Sequence, residues 1–455
     1  MPRLFLFAIG GSGARVLKSL TMLLASGVKS INRESFEIVP ILIDPHKTNE
    51  DLKRTERLLT NYQAIVNEIG LNNGFFSTQI TTLENIGESK SRGSSFTFNL
   101  QEVANKRFKD YIDYNQLEEG TGKANKSLVD VLFSGKSVDK MHRQIDLLDV
   151  EMDIGFVGNP NIGSVVLNQF KDSEEFKEFA SNFNENDRVF IVSSIFGGTG
   201  AAGFPTILKN IRGAMNNPKI DGKGFLRDAK IGALTVLPYF NVEISENSPI
   251  QKSDFIAKTK SALHYYQSNV TGNDSINALY YIGDSFSSSP YKNDPGEGGQ
   301  KNNAHLIEMA SALAVFDFMN IPDNALVSEG GKAINPIYKE YSIKNDNRDL
   351  HFSDLEDLSQ RLLTRNLSQL YLFKLYLNNS FFNSLEVEPW SINEPQIDST
   401  ITNDIFFRTY LSEYMGAYEE WLNEMALNSR SFKPFNFRAT LESFISASQV
   451  RHDPN

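Results

Sequence analysis

The chain has 455 residues, 40% of them hydrophobic, and a formal net charge of -11. That length allows two domains or one large domain with insertions. The absence of cysteine excludes disulfides and thiolate metal sites, and the acidic balance argues against nonspecific or direct nucleic-acid binding.

The opening "MPRLFLFAIGGSG" reads as a buried strand running into a helix rather than as a signal peptide. No stretch approaches the roughly 20 apolar residues of a membrane span. With no leader and no cysteine, a cytoplasmic location is expected. "RLFLFAI" (3–9) and "FEIVPILID" (36–44) are apolar throughout. "GSGARVLKSLTMLLASGV" and "NEDLKRTERLLTNYQAIVNEI" have helical periodicity. Strands of that kind alternating with helices predict a parallel sheet covered on both faces.

Residues 71–150 read as an insertion with a polar loop and two helices. The core resumes at 151–163 and continues as a helix to about 182. Strands are expected at 187–195, 229–240 and 276–284, with helices after 204 and near 252–268. "NNAHLIEMASALAVFDFM" (302–319) is apolar nearly all round, which predicts a central buried helix. Residues 320–350 read as irregular. Helices are expected at 354–380, 401–427 and 438–449. The division is therefore 1–320 as an α/β domain, 321–353 as a connection, and 354–455 as a helical region.

Three glycine loops carry the chemistry: Gly10-Gly11-Ser12-Gly13, "GFVGNPNIG" (155–163) and Gly197-Gly198-Thr199-Gly200. Each is expected to leave a strand end, the first and third leading directly into a helix. Glycine lets backbone N–H groups approach an anion, and a helix N-terminus adds unpaired donors. Taken singly, each loop is equally well a tight turn. Converging, they would cradle a polyphosphate. A dinucleotide fingerprint competes, because Gly11 and Gly13 precede Asp44 at the next strand end. Val16 occupies the third glycine position, however, and the other loops have no role in that scheme. A P-loop is excluded, since no GxxxxGK followed by Ser or Thr occurs.

These residues resemble the tubulin/FtsZ superfamily. "RVFIVSSIFGGTGAAGFPTI" is similar to its signature loop, GGGTGTG or GGGTGSG. "GFVGNPNIG" is similar to the FtsZ loop GAGGNPEIG around the terminal phosphates. "IGGSGARVL", "ILIDPHKTN", "LTVLPYF" and the 302–319 helix follow the family order across residues 4–319. Asn302, His305 and Glu308 keep the Asn-x-x-His-x-x-Glu pattern of divergent bacterial tubulin-like proteins. The resemblance implies an α/β fold: a parallel, Rossmann-like GTPase domain with a central core helix and a reduced, mostly helical C-terminal region.

It also implies GTP or GDP as ligand, with Mg2+ bound through the phosphates and no metal site of the protein's own. Gly10, Gly11, Ser12, Gly13 and Arg15, with Gly197, Gly198, Thr199 and Gly200, would surround the α- and β-phosphates. Gly158, Asn159 and Pro160 would approach the terminal phosphate. Asn302 or Asn303 would read the base, or cap the core helix. His305 would contact the nucleotide or be a core histidine. Asp44 would touch ribose, phosphate or ion, or be a turn acid before Pro45.

"DLHFSDL" (349–355) is the nearest match to the synergy loop, whose acids position water in the neighbouring subunit's site. Asp354 is the catalytic candidate there, or a first-turn acid of a helix capped by Ser353. Phe196 and Ala201 depart from the signature loop, and His351 replaces an acid.

The leading expectation is a GTP-binding protein assembling head to tail, with hydrolysis at the subunit junction. The alternative is a non-hydrolysing sensor or interaction module in a bacterial multi-component system, such as defence or mobile-element maintenance, by family analogy. In either case the 71–150 insertion and the helical C-terminus are candidate surfaces for partner proteins.

Overall fold

The computed structural model describes residues 1–30, 35–46, 48–71, 74–86, 95–118, 123–139, 141, 143–218, 220, 223–242, 252–284, 290–291, 301–342, 349–379, 400 and 403–435. Its centre is a sheet of six parallel strands. In chain order they are β1 (Arg3–Ile9), β2 (Glu37–Ile43), β3 (Arg188–Ser194), β4 (Lys230–Val236), β5 (Ala278–Gly283) and β6 (Ile337–Ser342). Their spatial order is β6-β5-β4-β3-β1-β2. This is a Rossmann-like α/β core, and its parallel sheet is what the continuous apolar strands predicted. The order reverses between β1 and β3, where Phe7 stands opposite Ile41 on one side and Ile191 on the other.

Strand side chains divide between the two faces by simple alternation. Leu4, Leu6, Ala8, Phe190, Val192 and Leu234 lie in one buried cluster. Phe5, Phe7, Ile9, Val189, Ile191 and Ala233 lie in the other. The first face is covered by α1 (Gly10–Ala25), α2 (Glu50–Ile69), α7 (Leu306–Asn320), α8 (Asp357–Asn379) and α9 (Ser412–Leu427). The second is covered by α3 (Pro160–Leu167), α4 (Glu174–Asn182), α5 (Gly198–Arg212) and α6 (Lys252–Tyr266). Burying both faces is what makes all-parallel pairing stable.

The outer edge of β2 is also used. Residues from the 71–150 segment form parallel bridges there, Ile80 to Ile38 and Thr97 to Leu42. Ile38 N–H donates to Gln79 O and Leu42 N–H to Phe96 O. Pro40 lies between these two donors on the same side and has no N–H to offer, so the outer partner is split into two short pieces. The segment expected to be a plain insertion is thus woven into the sheet edge.

Three boundaries differ from expectation. The 321–353 connection is not irregular throughout, because it supplies β6, an exposed edge strand whose "IYKEYS" lacks an apolar run. The second glycine loop leaves a 3-10 turn, Met152–Ile154, rather than a strand, and it too leads directly into a helix, α3. The C-terminal helices do not form a separate layer. Trp421 Nε1 donates to Ser19 Oγ and Tyr414 OH to Thr21 O, and both rings lie in the same core as α1. The helix expected at 438–449 lies outside the described residues. Among the described residues no helix is long and apolar enough to cross a membrane.

Candidate functional site

All three glycine loops meet at the carboxyl end of the sheet, above the point where the strand order reverses. In open α/β sheets that crevice is where ligands bind. Gly10 closes β1 with φ +71°, and a Cβ built on it would lie 3.5 Å from Thr199 Cβ and 3.6 Å from Gly200 N. A Cβ on Gly198 would lie 2.8 Å from Asn159 N and 3.0 Å from Gly158 N. A Cβ on Gly13 would lie 2.7 Å from Ala8 C and 3.1 Å from Val192 O. Glycine at 13 therefore lets α1 settle onto β1 and β3. Glycine at 198 lets the second loop settle onto the third.

The three loops open α1, α3 and α5. The first residues of an α-helix have N–H groups without intrahelical partners. None of the three N-caps, Ile9, Asn159 and Gly197, has a capping side-chain bond. Pro160 stands at the first turn of α3, where its missing N–H costs nothing. Gly11, Thr199 and Gly158 to Pro160 are partly exposed, whereas Gly10, Ser12, Gly13, Gly198 and Gly200 are buried. Three helices thus begin at loops that lie against one another, and helix N-termini are suited to an anion.

The side chains near the loops are mostly engaged with one another. Arg15 is almost fully enclosed, and its Nε donates to Glu308 Oε1 at 2.6 Å. Its Nη1 reaches Asp51 Oδ2 at 3.0 Å, and its Nη2 reaches Tyr239 OH at 2.8 Å. Tyr239 OH in turn donates to Glu308 Oε1 at 2.6 Å. Burial raises Glu308's carboxyl above its ordinary range, against the pull of Arg15 and Tyr239. Arg15 thus holds α1, α2 and α7 together at the back of the cradle.

Asn302 binds the same cluster, with its backbone N and Nδ2 both 3.1 Å from Asp51 oxygens. It is neither the helix cap nor open to solvent, while Asn303 beside it is exposed. The core helix begins at Leu306, not at 302, and its cap is His305. His305 Nδ1 accepts from Ile307 N, and Glu308 Oε2 accepts from His305 N. Burial pushes His305 down to about 3, so the ring is neutral. His305 and Glu308 are therefore built into the helix start, and Asn302 is tied to Asp51 of α2.

Asp44 ends β2 as expected and is buried. It accepts from His46 N at 3.0 Å. Burial pushes its carboxyl up to about 7, against hydrogen bonds from His46 and Asn49. Asn49 also caps α2 through Asp51 N, and its Nδ2 lies 3.3 Å from where a Cβ on Gly11 would be. Asn159 braces its own loop, because Nδ2 donates to Phe156 O, Val157 O and Ser137 Oγ. Phe196 packs edge-on against Phe240 with ring centroids 5.3 Å apart.

Asp354 lies in a 3-10 turn, Phe352–Asp354, and is exposed. One of its oxygens accepts from His351 N at 2.8 Å, so His351, not Ser353, is the cap there. Among the described residues no cluster of three His, Asp or Glu side chains converges as a metal site. The sequence reading missed Asp51, Tyr239 and Lys258. Only Asp51 had a local signal, as a first-turn acid of α2. Lys258 Nζ donates to Gly158 O at 2.9 Å from 100 residues away. The sequence matches no family model and no curated protein.

Proposed function

We propose that the chain binds a guanine nucleotide across the carboxyl ends of β1 and β3 and belongs with the tubulin/FtsZ-like proteins. The observation that carries this reading is the convergence of the three glycine loops. Gly10 faces Thr199 and Gly200, and Gly198 faces Gly158 and Asn159. The order in which the loops occur along the chain matches the family resemblance. A Cβ at Gly13 or Gly198 would displace backbone, so glycine at these positions is what lets the loops approach one another.

In this reading the N-termini of α1 and α5 hold the α- and β-phosphates, and the 158–160 loop holds the terminal one. Mg2+ bound through the phosphates would supply charge neutralisation. Arg15, Asp51 and Glu308 act behind the loops by fixing α1 against α2 and α7. Arg15, which the resemblance places at the phosphates, serves here as their support. Exposed Asn303 is better placed than Asn302 to meet a base, since Asn302 is held by Asp51.

A second copy stacked head to tail would bring its exposed Asp354 over the terminal phosphate. Phosphoryl transfer requires positioning and charge stabilisation more than a strong base. The alternative, a nucleotide-binding sensor without hydrolysis, is favoured by one observation. Asp354 already accepts from His351 N, and His351 replaces the second acid. The test is GTP turnover together with negative-stain microscopy in GTP and in GDP. Filaments and turnover that Asp354→Ala abolishes support the assembling GTPase. Binding with neither supports the sensor. No nucleotide binding at all removes both.

A further inference from the structure

The central sheet treats its two edges differently. At β2 the 71–150 segment bridges the outer side at Ile38 and Leu42. At β6 nothing among the described residues pairs with the outer side. Ile337 N–H donates to Asn277 O, and the register runs from Ile337 opposite Ala278 to Ser342 opposite Gly283. Successive residues of a strand direct their N–H and C=O groups to opposite sides. Ile337, Lys339 and Tyr341 therefore bond to β5, and the N–H and C=O groups of Tyr338, Glu340 and Ser342 point out of the sheet. Tyr338 is 50% exposed and Tyr341 42%, so this row is open to solvent.

An open edge is a template for another strand, and proteins often guard it with a lysine. Lys339 is the basic residue of β6, but it does not stand guard. Its Nζ donates to Asp317 Oδ2 of α7 at 2.6 Å and lies 5.8 Å from the centroid of the Tyr280 ring on β5. The side chain is turned back over its own sheet, where its charge is matched. Glu340 is exposed and has no ion pair among the described residues.

A two-fold axis perpendicular to the sheet would set β6 antiparallel against itself, with residues of the same face opposite each other. Centred on Glu340, the axis brings two unpaired carboxylates face to face, which is destabilising. Centred on Lys339, it places Tyr338 opposite Glu340 and Ile337 opposite Tyr341, on both sides of the axis. The two Lys339 side chains then meet with their charges already matched by Asp317. We propose that β6 pairs in this second register with β6 of another copy, joining two chains through one continuous sheet. The strand's own complementarity selects the partner: Glu340 meets a tyrosine, Tyr341 meets an isoleucine, and each lysine brings its counter-ion. The dimer is closed, unlike a head-to-tail stack, and does not depend on nucleotide.

Sedimentation velocity of the full chain from about 1 to 100 μM, without nucleotide and with GDP, tests this. Wild type should form a dimer and grow no further. Glu340→Pro removes an outward N–H and spares the ladder to β5, because proline is tolerated on the open side of an edge strand. It should weaken the dimer by at least about tenfold. Cross-linking supplies a second reading, because the chain has no cysteine of its own. Lys339→Cys places one thiol on the axis, in a pair whose Cα atoms lie about 4.5 Å apart, within disulfide reach. It should oxidise to a covalent dimer. Glu340→Cys, whose copy lies diagonally about 7–8 Å away, should not. A monomer throughout the range overturns the proposal, as does a dimer that Glu340→Pro leaves as tight as wild type. Cross-linking at 340 without cross-linking at 339 overturns the register and the pairing argued from it. A dimer that binds no nucleotide removes the reading above and leaves this one standing.

Discussion

Gly198→Ala is the sharpest perturbation of the cradle. The new methyl would lie 2.8 Å from Asn159 N, 3.0 Å from Gly158 N and 3.1 Å from Phe156 Cβ. Two of these neighbours are backbone atoms and the third is a Cβ, so no change of rotamer can relieve them. The loop at 155–163 must move away from α5 by about half an ångström. Overpacking of this kind costs about 1–3 kcal/mol, which urea unfolding at pH 7.5 will resolve. Displaced donors should also weaken nucleotide binding by at least about tenfold, or about 1.4 kcal/mol, in a fluorescent-nucleotide titration. Gly416→Ala is the matched control. Gly416 is exposed in the middle of α9 with nothing within 4 Å of a built Cβ. That change should stabilise by about 0.5–1 kcal/mol through helix propensity and leave binding unaltered. A Gly198→Ala protein as stable and as tight-binding as wild type would show that the second and third loops are not packed as described.

Arg15→Met leaves Asp51 and Glu308 buried without their shared cation, and should lower stability by about 3–5 kcal/mol, read as a lower urea midpoint. Unchanged stability would mean the cluster does not hold α1 to α2 and α7. Glu424 on α9 accepts from Lys18 and Arg54, and burial lowers Lys18's ammonium below its ordinary range. Glu424→Gln should therefore destabilise by about 3 kcal/mol or more, with an unchanged midpoint arguing against that tie to α1. Asp44 is held at about 7 in the folded chain against 3.8 unfolded. The native state keeps its proton between those values while the unfolded state loses it, so stability falls as pH rises through that window. Asp44→Asn should match wild type near pH 4 and exceed it by up to roughly 4 kcal/mol above pH 7. Parallel stability curves for the two proteins would contradict this. His305, depressed to about 3, acts in the opposite sense in both proteins: stability is lost as pH falls from about 6.5 towards 3.

The strands at 3–9, 188–194 and 230–236 could be read directly because strands buried on both faces carry unbroken apolar runs. The glycine loops could be read because so little side chain between strand and helix is unusual. What escaped the sequence had physical reasons. β6 is an exposed edge, so Lys339 and Glu340 stand between two tyrosines in place of an apolar run. Pro40 interrupts the outer edge of β2, but the two segments that pair there come 40 and more residues later in the chain. The core helix starts four residues late because Asn302 is drawn to Asp51 and His305 takes the cap, a competition between side chains that helical periodicity does not register. Lys258 reaches Gly158 through tertiary packing of α6, and nothing local to either residue signals the pairing.

The central claim is that the three loops form one nucleotide site. The most direct measurement is chromatography of what the freshly purified protein releases on denaturation, backed by titration of the stripped protein with GDP, GTP, ATP and NADH. Release of GDP or GTP, or saturable binding of guanine nucleotides above the others, is the predicted result. An empty protein that binds none of them, or one that takes up NADH in their place, would contradict it.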